Sequence, residues 1–182
     1  MASATSGHAR VIALCRRNRR DENPRGDPEP AGTIEALLAG LRTDADADGR
    51  LAPGVLLDEA YIEFAGDSQH VLRAAFPRLI VARPMSKAYA IAGLRVGFAI
   101  ATPEVIDEIS TYRPPGSVSI VSVEVAAALL SEDGLVRTRV ADVLAERNRL
   151  ARGLGEGGWA GQASSPNFLL GRFAAPRART AV

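Results

Sequence analysis

Lys87 is the one lysine among the 22 basic side chains of this 182-residue chain; the others are arginines. Such a bias has a compositional origin, but a chain under it keeps lysine where a guanidinium fails. An amine can lose its proton when desolvated and attack a carbonyl carbon, which an arginine does not do. The residues around it add further chemistry. Ser86 precedes it directly, and Arg95 follows eight residues later. Upstream, the apolar run Gly54–Asp58 ends in a carboxylate, with Tyr61 three residues beyond. A carboxylate and the one lysine, each just past the end of a predicted strand, are what a cofactor site would need.

The elements that must position these groups read as alternating strands and helices, hence an α/β sheet with helices on its faces. Continuous apolar runs predict buried strands over Gly54–Asp58, Arg78–Ala82 and Leu94–Ala101, with shorter candidates at Arg10–Cys15 and Asn167–Phe173. Helical spacing of Ile34, Leu37, Leu38 and Leu41 predicts a helix over Thr33–Leu41, followed by a loose acidic connector over Thr43–Arg50. Ser68–Phe76 fits a short helix. Thr102 as N-cap and Pro103 at the first helical position start another, ending near Thr111. Ser119–Leu130 and Gly134–Leu154 complete the set, with a turn over Gly153–Gly161. In such sheets ligands sit beyond the carboxyl ends of strands. Asp58 and the Ser86-Lys87 pair both fall there.

Composition excludes several other classes. Hydrophobic content of 47%, charged content of 24% and a net charge of +1 describe an ordinary water-soluble chain without a field that recruits nucleic acid or membrane. The arginines Arg16, Arg17, Arg19 and Arg20 carry no interleaved aromatics, so they read as a solvated loop. Cys15 alone permits no internal disulfide, and His8 and His70 alone suggest no metal site. The run Val11–Leu14 is too short for a signal-peptide core, and no stretch has the length and apolarity of a membrane span. The expected location is the cytoplasm.

The motifs resemble those of histidinol-phosphate aminotransferases, within the class I/II, fold-type I aminotransferases that use pyridoxal 5'-phosphate (PLP). Leu57-Asp58-Glu59-Ala60-Tyr61 is similar to their Asp-Glu-Ala-Tyr strand end. Ser86-Lys87-Ala88-Tyr89 with Ala92-Gly93-Leu94-Arg95-Val96-Gly97 resembles their lysine segment, and Arg113-Pro114-Pro115 with Val118-Ser119 fits as well. Asn23-Pro24-Arg25-Gly26 is similar to the class Asn-Pro-Thr-Gly motif, with Arg25 at the threonine.

The resemblance implies roles. Lys87 would carry PLP and shuttle the proton between substrate Cα and the cofactor. Asp58 would face the pyridine nitrogen, while Tyr61 and Asn23 would face the ring oxygen. Arg95 and Ser86 would hold the phosphate. Pro84 stands where the family usually places a phosphate-binding serine or threonine.

The implied fold is a partial fold-type I large domain, a mostly parallel sheet with helices on both faces, plus the beginning of the small C-terminal domain. The expected division is an irregular segment over 1–22, a PLP-binding portion over 23–130, and a connecting helix with partial C-terminal domain over 131–182. The implied reaction moves an amino group between glutamate and imidazole-acetol phosphate in histidine biosynthesis. A homodimer or a complementing chain is the expected assembly. The alternatives are a truncated, non-catalytic remnant, a protein that binds PLP without turnover, or another class I/II enzyme acting on a phosphorylated amino compound.

Overall fold

In the computed structural model, residues 11–15, 32–49, 52–161 and 164–172 are described. Four strands form one sheet in chain order: β1 (Val11–Cys15), β2 (Gly54–Asp58), β3 (Leu79–Pro84) and β4 (Gly97–Ile100). The first three run parallel and β4 pairs antiparallel with β3. Helix α1 (Thr33–Ala47) links β1 to β2. A short helix α2 (Ile62–Ala65) and a 3-10 turn (His70–Ala74) link β2 to β3.

Alternate residues of a strand point to opposite faces. Val55 and Leu57 of β2 therefore share a face with Leu79 and Val81 of β3, and that face meets Ile34 and Leu38 of α1 and Phe76. Leu57, Leu79 and Val81 are 0% exposed. Burying side chains of this size stabilises by about 1.5–3 kcal/mol each, so this layer anchors the strand ends.

α1 outruns its expected end at Leu41. The acidic stretch stays helical to Ala47 because Ala45, four residues beyond Leu41, is buried on the same side as Leu38. The chain leaves the helix through Gly49 at φ 63°. The last expected sheet strand is also revised. Ala92–Leu94 form a 3-10 turn and Arg95 is left-handed, so β4 begins only at Gly97. There the backbone passes very close to β3, since a Cβ on Gly97 would lie 2.9 Å from Pro84 Cα and 3.0 Å from Arg83 O.

Three more helices follow: α3 (Pro103–Ser110), α4 (Ile120–Ser131) and α5 (Asp133–Glu156). Thr102 stands at the N-cap of α3, but its hydroxyl donates to Pro77 O at 3.4 Å instead of capping. Ser119 does cap α4, accepting from Ser122 N–H at 3.1 Å. α5 runs two residues past its expected end at Leu154, to Glu156, and the expected turn follows at Gly157 and Gly158.

Of the final strand expected at Asn167–Phe173, the described residues through 172 form only β6 (Gly171–Arg172), pairing with β5 (Ala160–Gly161). The Trp159 indole lies against this ribbon, filling the space a Cβ would need at Gly161 and at Gly171. Among the described residues no helix is long and apolar enough to cross a membrane, and no cluster of metal-ligating side chains occurs.

Candidate functional site

β2 ends at Asp58, whose Oδ1 accepts the Ala60 N–H at 2.9 Å and turns the chain off the sheet. The turn delivers Tyr61 to the start of α2, where it is buried. Its ring meets Phe168 edge-on at 5.8 Å and Phe64 at 6.5 Å. β3 runs beside β2, with Ala82 in register with Asp58. Five residues beyond Ala82 comes Lys87, exposed, with its ammonium 5.5 Å from the Tyr61 ring centroid. Tyr61 and Lys87 are thus brought together, and Asp58 stands at the strand end between their two loops. Ser86 is half-buried beside Lys87. Arg95 is exposed, and its Nη1 donates to Ala92 O at 3.3 Å, within its own loop. Asn23 lies outside the described residues.

The loop that carries Lys87 and Arg95 is tightly built. Met85, 1% exposed, donates its N–H to Val96 O at 3.1 Å and accepts from Ile91 N–H at 3.3 Å. Ala90 and Arg95, at φ 57° and 51°, are the only non-glycine residues with positive φ among the described residues. Each such conformation costs about 1–3 kcal/mol and persists only where surroundings enforce it.

A second group was not picked out from the sequence. Glu59, the residue after Asp58, is 2% exposed and saturated with donors. Its Oε2 accepts from Ser68 Oγ at 2.7 Å and from Arg83 Nε and Nη2 at 3.2 and 3.1 Å. Its Oε1 accepts the Gln69 N–H at 2.8 Å. Arg83 Nη2 also donates to Ser68 Oγ at 2.6 Å. The available signal was strand alternation, which puts Arg83 on the same face as Val81 and Glu59 on that of Leu57. Burial pushes the nearby Glu63 carboxyl above its ordinary pKa, while its own backbone hydrogen bond and the Arg83 charge pull it back.

Residues 53–180 match the family aminotransferase class I and II. The chain is 37% identical over 148 residues to the histidinol-phosphate aminotransferase of Thermococcus kodakarensis, covering 81% of this chain and 40% of that protein. It is 35% identical over 173 residues to the aromatic amino acid aminotransferase of Cutibacterium acnes, covering 93% of this chain and 46% of that one. It therefore spans less than half the length of these relatives.

Among solved structures, histidinol-phosphate aminotransferase from Sinorhizobium meliloti, in complex with pyridoxal-5'-phosphate, superposes with a TM-score of 0.68 at 26% identity. That match covers 87% of this chain and 41% of the other. The α/β fold is that of a partial large domain of the fold-type I aminotransferases. The matched span contains Asp58, Tyr61, Lys87 and Arg95 together, and the chain belongs to the aminotransferase class I and II family.

Proposed function

We propose that this chain provides the PLP-carrying part of an aminotransferase of the histidinol-phosphate type, moving an amino group between glutamate and imidazole-acetol phosphate. The observation that carries this reading is the Lys87 ammonium 5.5 Å from the Tyr61 ring, beside the strand end that bears Asp58. The donor set fits PLP: an amine for the aldehyde carbon, a carboxylate for the ring nitrogen, a phenol for the ring oxygen, and a guanidinium with a hydroxyl for the phosphate.

In this reading Lys87 holds the cofactor covalently and then takes and returns the proton at the substrate Cα. Asp58 keeps a proton on the pyridine nitrogen, and Tyr61 donates to the ring oxygen. Arg95 and Ser86 bind the phosphate, with Asn23 as a further contact to the ring oxygen. Bound PLP supplies an electron sink for the charge left at Cα. Pro84 offers no donor to that phosphate, which leaves its grip to Arg95 and Ser86.

The cofactor-bearing portion is read as 23–130, following 1–22, with 131–182 as connecting helix and start of the small domain. The break between α4 and α5 supports that boundary. Assembly is read as a homodimer or a complementing chain in the cytoplasm. The exposed apolar side chains Tyr112, Ile120 and Val121 support association.

The test is an absorbance spectrum of the chain with added PLP, beside Lys87→Ala. The expected result is a band at about 420 nm that survives desalting, is bleached by borohydride as the C=N bond is reduced and the cofactor stays fixed on the chain, and is absent in the variant. A folded chain without a Lys87-dependent band overturns the reading. A second reading, an aromatic amino acid substrate, is favoured by the Cutibacterium acnes relative. Transamination of histidinol phosphate against phenylalanine separates the two.

A further inference from the structure

The two left-handed residues of the lysine loop share a feature. The carbonyl just before each of them receives a hydrogen bond from a helix side chain far away in sequence. Tyr89 O, which precedes Ala90, accepts from Arg139 Nη1 of α5 at 2.9 Å. Leu94 O, which precedes Arg95, accepts from Ser122 Oγ of α4 at 2.9 Å. We propose that Arg139 and Ser122 are positioning residues that hold the Lys87–Arg95 loop in the shape its chemistry requires; this rests on the roles read for Lys87 and Arg95 above.

The residue before each left-handed position, Tyr89 or Leu94, lies outside any strand, where no sheet ladder serves its carbonyl. That carbonyl needs a donor from elsewhere if it is not to be stranded in a half-buried setting. Ser122 is 4% exposed and fixed in turn by the Ser119 cap, so its hydroxyl has little freedom. Arg139 is half-buried on α5 between Val136 and Val140, which pack with Ala88 and Tyr89. Its hydrogen bond therefore comes with an apolar contact on the same stretch of loop. One clamp lies two residues after the lysine and the other one residue before the arginine. Together they set the reach between the amine and the guanidinium. The two helices themselves lie outside that loop, after β4.

The test uses the full chain with Arg139→Met, Ser122→Ala, and Arg139→Met combined with Ala90→Gly. Hydrogen exchange, without added cofactor, is followed on peptides covering 86–95 and, as a control, 59–69. Loss of a hydrogen bond from a charged donor is expected to speed exchange in 86–95 about tenfold in Arg139→Met, with 59–69 unchanged. Ser122→Ala gives a smaller rise. Glycine adopts φ near 57° without penalty, so Ala90→Gly is expected to restore much of the protection. With PLP added, Arg139→Met weakens retention of the Lys87-dependent band about tenfold and shifts its pH midpoint, and Arg139→Gln, which keeps a donor, recovers part of both.

A lower melting temperature without a change in loop exchange, band or pH midpoint overturns the proposal and makes the two residues merely structural. Faster loop exchange in the variants, with no Lys87-dependent band even in the unaltered chain, keeps the clamps but overturns the cofactor reading.

Discussion

Two loops leave neighbouring strands at the same edge of the sheet, and they are held in opposite ways. After β2, Glu59 collects Arg83, Ser68 and the Gln69 amide into a closed set of charged contacts, its carboxylate buried. After β3, the loop is fixed through its backbone, by Met85, by two left-handed residues and by donors from α4 and α5. Its charged ends, Lys87 and Arg95, stay exposed. In the first loop charge is spent on architecture. In the second, architecture is built from carbonyls and apolar contacts so that charge is left for a ligand. Pairing Lys87 or Arg95 as tightly as Arg83 would satisfy the fold and remove the chemistry.

The largest expected effect tests the first loop. Glu59→Gln removes the buried carboxylate that Arg83 grips with two nitrogens and leaves it only the Glu63 charge nearby, and breaking a pair buried on the carboxylate side costs about 3 kcal/mol. Urea denaturation measures this, and a loss below about 1 kcal/mol would break the contrast. Next is Gly97→Ala at the base of the second loop. The added Cβ meets backbone atoms of Pro84 and Arg83, which cannot swing aside. The expected loss is about 1–3 kcal/mol by the same measurement.

Lys87→Ala sharpens the comparison from the other side. An exposed lysine that makes a cation–π approach to Tyr61 gains only about 0.5–1 kcal/mol of stability from it. Unchanged folding with loss of the Lys87-dependent band is the expected pair of results.

The smallest effect concerns Glu63. Burial raises its folded-state pKa, so the folded protein holds this proton more tightly than the unfolded chain. The stability it contributes is present below the ordinary glutamate pKa and is lost as pH rises through the raised folded value. Glu63→Gln should therefore flatten the stability profile from acid to neutral pH. With the group half-exposed, the gain at neutrality is within about 1 kcal/mol.

How much of this was legible follows from the range of each interaction. β2 was readable residue for residue, because a buried parallel strand is a continuous apolar run and nothing in Gly54–Asp58 interrupts it. β3 runs two residues past its expected end, since Arg83 and Pro84 look like strand breakers on their own. Arg83 is tolerated there because Glu59, distant in sequence, neutralises it. The acidic tail of α1 hid its helicity because aspartates favour turns, while the buried Ala45 carries little weight in a periodicity reading.

Within the candidate site, Lys87 and Tyr61 were found through residue order and family resemblance, and their contact supports that pairing. Arg139 and Ser122 were invisible. Nothing local marks a helix residue whose partner is a carbonyl 50 or 28 positions away.

The chain's single tryptophan has a practical consequence. Trp159 is 9% exposed and rests against the two glycines of the β5–β6 ribbon, beside the end of α5. Its fluorescence therefore reports on the seating of that ribbon against the end of α5, far along the chain from the lysine loop. Emission shifting to longer wavelength before ellipticity falls would reveal the ribbon detaching ahead of the sheet. Coincident transitions would mean that both parts melt as one cooperative body.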